Sequence, residues 1–198
     1  MRHRNIYLIF ETIGVFILLS TGAVYLNSIT LEPLLRWVLY FPLLLFQGCW
    51  FYRFYIVGHE AAHKKLFPHN LNTNDFWGAV ILLPLMVPIT IYRKIHFFHH
   101  GFNRHDEHTS ALDTFVVKGK PNLLKKVYYY TIWYISVFLG GFFIHSLVSV
   151  FLFLFVPARF SEKISPAFQQ WTYKDQLKSI TLFLTGIGFH LSVYYWGG

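Results

Sequence analysis

The chain has 198 residues, of which 55% are hydrophobic, 21% aromatic and only 13% charged. A water-soluble domain of this size cannot hide that much apolar surface, whereas a lipid bilayer can cover it. The formal net charge of +8 does not point to nucleic acid, because the lysines and arginines stand at the ends of apolar runs, where they meet anionic headgroups, and no basic stripe with interleaved aromatics occurs.

Residues 6–26 are apolar apart from Glu11 and a few small polar side chains. A crossing needs about 20 residues. The run exceeds a signal-peptide core and no small-x-small cleavage site follows, so it reads as an uncleaved first span. Residues 34–57 form the second expected span and contain Cys49. As the single cysteine, Cys49 excludes an intramolecular disulfide and a cysteine-rich zinc cluster. Residues 76–92 are apolar but carry Pro84 and Pro88, and they separate two histidine clusters argued below to share one side. They are therefore expected to lie in the interface or to dip in and return. Residues 127–156 form an unbroken apolar run, which fits one long tilted span, or a bent segment if the chain turns at Gly140 and Gly141. Residues 177–196 make a shorter fourth span. The expected fold is an all-α integral membrane protein of about four transmembrane helices, with the interfacial or re-entrant segment between the histidine clusters. No internal repeat or low-complexity segment is present, so residues 1–198 read as a single domain.

Orientation follows from lysine and arginine. Arg2 and Arg4 precede the first span, and the stretch from Arg53 to Lys126 holds most of the remaining basic residues. This places the N-terminus and the histidine clusters on the cytoplasmic side. Arg159, Lys163 and Lys174 in the later loop are a smaller counterweight.

The eleven histidines are unevenly spread. His59 and His63 form H-E-A-A-H at the end of the second span, and His96, His99 and His100 form H-F-F-H-H beyond the proline-containing segment. On a helix, positions i and i+4 share a face with i+3, so His59 pairs with His63, and His96 aligns with both His99 and His100. Neutral imidazole nitrogens suit iron, zinc, copper and nickel. Five imidazoles exceed the need of one tetrahedral zinc and fit two adjacent metal ions. His69, His105 and His108 read as solvated loop residues, His3 as a headgroup contact and His145 as a polar residue within a span. His190 lies inside the fourth span, where an ionisable group is costly, and is a candidate metal ligand.

These residues resemble the membrane fatty acid desaturase family. Its first box is H-x-x-x-H after a glycine, here Gly58-His59-Glu60-Ala61-Ala62-His63, and its second is H-x-x-H-H, here His96-Phe97-Phe98-His99-His100. The spacer, with Asn74-Asp75, Gly78, Pro84, Pro88 and Arg93, is similar to that of acyl-lipid and plant-type desaturases. After the second box, Asn103 with Asp106 or Asp113 matches the family loosely. A third box, expected after the fourth span, is absent up to Gly198, so the chain is expected to be truncated before it. The resemblance implies a non-haem di-iron site with His59, His63, His96, His99, His100 and, as in some members, His190 as metal ligands. It implies O2-dependent introduction of a double bond into a fatty acyl chain, with a ferredoxin or cytochrome b5 as electron donor. Three alternatives stay open. One is a related di-iron hydroxylase or ketolase acting on a carotenoid or alkane. Another is an H-E-x-x-H membrane zinc metalloprotease with Glu60 as general base. The last is a membrane protein without enzymatic activity.

Overall fold

The computed structural model describes residues 2–102, 122–124, 126–128, 131, 134 and 150–197. Most of the expected span at 127–156 lies outside them, as do His105, His108, His145, Asn103, Asp106 and Asp113. Among the described residues the secondary structure is helical, without strands. Its longer elements are α1 (Arg2–Ser28), α2 (Pro33–Ala62), α3 (Leu71–Leu82) and α4 (Ile89–Phe102), followed by α5 (Ala158–Ile164) and α6 (Tyr173–Gly197).

Three helices, α1, α2 and α6, are long and apolar enough to cross a membrane. None of the residues in the most apolar window of α2 is buried within the protein. Phe10, Leu18, Trp37, Phe41, Phe46 and Leu184 all stand exposed. A helix that is apolar all round and uncovered by protein needs lipid against it. The segment around Pro84 and Pro88 breaks as its prolines require. A 3-10 turn at Leu83–Leu85 follows α3, Met86 takes a left-handed backbone with φ 55°, and the chain bends by 96° between Leu71–Leu85 and Ile89–Phe98. This is a broken span or a re-entrant loop.

The chain divides into two compact units, one of residues 1–90 and 178–198 and one of residues 91–177. In the first unit, α1 and α2 form an antiparallel hairpin with polar rungs. Gln47 donates to the Ser20 hydroxyl at 3.1 Å, the Trp50 indole donates to the Thr12 carbonyl at 2.7 Å, and Arg53 pairs with Glu11 at 2.9 Å. The α2 residues recur every third position, which keeps them on one helix face. At the end of the hairpin, the Asn5 amide donates to the Lys65 and Leu66 carbonyls at 3.1 and 2.9 Å.

The second unit is held by different contacts. Phe153 stacks on Phe168 with ring centroids 3.6 Å apart, and Trp171 meets Phe168 edge-on. Gln176 donates to the carbonyls of Leu154 and Val156 and accepts from the Ala158 amide. Thr172 and Asp175 exchange side-chain bonds to each other's backbone N–H. This capping box satisfies orphan donors at the start of α6.

Candidate metal centre

The last turn of α2 carries the first histidine pair. His59 and His63 lie one above the other, with ring centroids 4.6 Å apart, as i, i+4 spacing dictates. His59 Nδ1 is 3.4 Å from Glu60 Oε1. His63 is the C-cap of α2, so it sits where a helix tends to fray. The helix ends in a Schellman motif. Lys64, at φ 61°, donates to the Ala61 carbonyl at 2.9 Å, and Lys65 donates to the Glu60 carbonyl at 2.9 Å.

Helix α3 is seated against this turn. Asn70 caps its start by accepting from the Thr73 amide at 3.0 Å, an ordinary role for asparagine. One turn on, Asn74 is fully buried. Its amide donates to the Ala61 carbonyl at 2.9 Å, while its Oδ1 accepts from the Phe67 amide at 3.3 Å. Two glycines permit the close approach. A Cβ on Gly78 would strike the Ile89 side chain and would stand 2.7 Å from Ala61 Cβ, and one on Gly58 would strike the Leu82 side chain. Small residues at such crossings let helix backbones come together.

Helix α4 begins inside the first unit. Ile89, 1% exposed, fits over Gly78, and the Thr90 hydroxyl lies 2.6 Å from the Ser179 hydroxyl. The helix continues to His96, which stacks on Tyr92 one turn earlier, with ring centroids 5.3 Å apart. His59 and His63 offer ring nitrogens from one face of α2, and His96 offers one from α4. A set of neutral imidazoles fits a first-row transition metal such as iron, so the donor chemistry on these two helices agrees with the iron site expected from the sequence.

The fatty acid desaturase family model matches residues 35–198. The chain belongs to the fatty acid desaturase family. Among curated proteins, this desaturase-family chain is 27% identical over 115 residues to an sn-1 oleoyl-lipid 12-desaturase of Picosynechococcus sp., covering 57% of this chain and 33% of that protein. It is 29% identical over 75 residues to an sn-1 oleoyl-lipid 12-desaturase of Arthrospira platensis, covering 38% and 21%. It is 31% identical over 104 residues to a chloroplastic omega-3 fatty acid desaturase of Glycine max, covering 51% and 21%. The matched stretches thus span a third or less of those relatives' length. No solved structure matches.

The remaining sequence candidates have distinct places in this desaturase-family chain. His99 and His100 continue α4 beyond His96, and their side chains lie outside the described set. His190, on α6, places Nε2 2.9 Å from the Pro84 carbonyl. A carbonyl can only accept, so Nε2 is the donor in this contact. His190 ties α6 to the 3-10 turn that ends α3. The two asparagines that hold the turn after His63 have no metal-ligand signal in sequence. In sequence Asn74 shows only as part of the spacer pair Asn74-Asp75, at the end of a polar run that precedes the apolar segment.

Proposed function

We propose that this chain forms part of an O2-dependent membrane desaturase that introduces a double bond into the acyl chain of a lipid. The observation that carries this reading is the stacked pair His59 and His63 at the end of α2, in a chain of the desaturase family that also carries the second histidine box on α4. His99 and His100 would complete the second box and His190 would add a further ligand. An unactivated methylene C–H bond is beyond the reach of any side chain, and two irons bound by these histidines would supply the oxidising power. The balance is one O2, two electrons and two protons in, and two waters out, with two hydrogens leaving adjacent acyl carbons. The electrons would come from a ferredoxin or cytochrome b5.

The chain's own residues hold and orient. His59 and His63 offer nitrogens from one helix face. Glu60, 3.4 Å from His59 Nδ1, steadies that ring by facing its other nitrogen, as carboxylates do behind metal-bound histidines. Its place beside the ring suits this role better than that of a protease general base. The names of the relatives, an oleoyl-lipid desaturase and an omega-3 fatty acid desaturase, favour an acyl lipid over a carotenoid or alkane. The family match runs through both compact units, which supports one desaturase domain over residues 1–198. The basic residues near the first box place it, with the N-terminus, on the cytoplasmic side.

The test is expression in a host that lacks acyl-lipid desaturation, with fatty acid analysis and iron determination. A new cis double bond is expected, together with its loss and a fall in bound iron in His59→Ala and His96→Ala. Hydroxylated or ketonic products instead would replace desaturation with oxygen insertion. One bound zinc in place of iron would favour the protease.

A further inference from the structure

We infer that Asn74, outside both histidine boxes, is a positioning residue for the first box, holding His63 in place by stapling the backbone on both sides of it. This rests on the metal-centre reading above. His63 is the C-cap of α2. Helix ends leave unsatisfied carbonyls and fray, so a ligand at a C-cap needs support from elsewhere to keep one geometry. The Schellman bonds from Lys64 and Lys65 supply part of it, although Lys64 must adopt φ 61° to make them, a conformation unfavourable to a non-glycine residue.

Asn74 adds what those bonds lack. The Ala61 carbonyl already accepts from Lys64, and the Asn74 amide occupies its second lone pair at 2.9 Å. Its Oδ1 accepts from the Phe67 amide. One side chain thus links the residue two before His63 to the residue four after it. The second amide hydrogen faces Asp75 Oδ1 at 3.2 Å, so the amide is oriented from three directions. Asn74 is wholly buried, and a buried polar group is retained at little cost only when its bonds are made. Both functions of the amide are needed: an oxygen for Phe67 and a donor for Ala61. Asparagine at this position supplies both, whereas aspartate supplies only the acceptor.

The test is cobalt(II) titration of the purified chain in detergent, followed by the visible d–d bands. The wild type is expected to bind saturably. Asn74→Leu and the nearly isosteric Asn74→Asp, each checked for helical content, are expected to bind about tenfold or more weakly, with altered band positions, as for loss of supporting contacts around a ligand. In a His63→Ala background, Asn74→Asp should cause no further loss. A helical Asn74→Asp protein that binds as tightly as wild type, with an unchanged spectrum, overturns the inference and leaves the metal centre standing. An equal loss in the His63→Ala background also overturns it, because that marks general loosening. Absence of saturable binding by the wild type overturns the metal centre and this inference together.

Discussion

Arg53 and Glu11 bear charges on helices otherwise suited to lipid, at a site where their side chains are 33% and 30% exposed. A lone charge near the middle of a membrane helix costs about 2.5–3.5 kcal/mol on insertion scales, whereas a pair on facing helices satisfies both partners. Neutralising one partner, by Arg53→Gln or Glu11→Gln, should therefore lower stability in detergent by about 1–3 kcal/mol. The double substitution should cost less than the sum of the two. A double-mutant cycle in thermal melts reads this coupling, and additive losses would show that the pair contributes nothing. In sequence Glu11 reads only as an interruption of the first span. Its partner became identifiable when α1 and α2 folded back on each other.

Among the elements, the crossing of α3 over the end of α2 has the least tolerance. The Gly78 Cα faces Ala61 and Ile89, and Ala61 lies between the two histidines of the first box. Gly78→Ala would set two Cβ atoms 2.7 Å apart, and neither can rotate away. Overpacking of this kind costs about 1–3 kcal/mol. The expected result is a lower melting temperature together with weaker metal binding. By contrast, Gly48→Ala on α2, where an added Cβ meets nothing within 4 Å, should leave both unchanged or slightly improved. Equal behaviour of the two variants would show that the crossing does not set the box. The break at Met86 belongs to the same scale. Pro84 and Pro88 made a helix interruption legible in sequence, but not the 96° bend, which depends on the left-handed Met86 and on what α4 packs against.

For the whole molecule, the hairpin carries a topological consequence. Asn5 reaches the carbonyls after α2, so the N-terminal end of α1 and the first histidine box lie at the same end of the hairpin, with Glu32 in the connection at the other. In sealed vesicles of a Cys49→Ser background, cysteines at Arg4 and Lys64 should react with an impermeant maleimide from one side, and a cysteine at Glu32 from the opposite side. Labelling of all three from the same side would show that α1 and α2 do not cross. The excess of basic residues near Arg4 and Lys64 predicts that their side is cytoplasmic.

The sequence by itself determined the solvent, the helical class and the spacing of the histidines. Apolar length, histidine type and i, i+4 spacing are local properties, and local physics reads them directly. That is why the first two expected spans and the fourth match α1, α2 and α6, and why His59 and His63 could be paired unaided. Tertiary structure alone decided that His190 meets the Pro84 carbonyl and that Asn74 serves the turn after His63. Each of these joins residues far apart in the chain through helix crossings whose closeness depends on an absent Cβ and a buried amide. Such contacts leave no periodic trace in the amino-acid order.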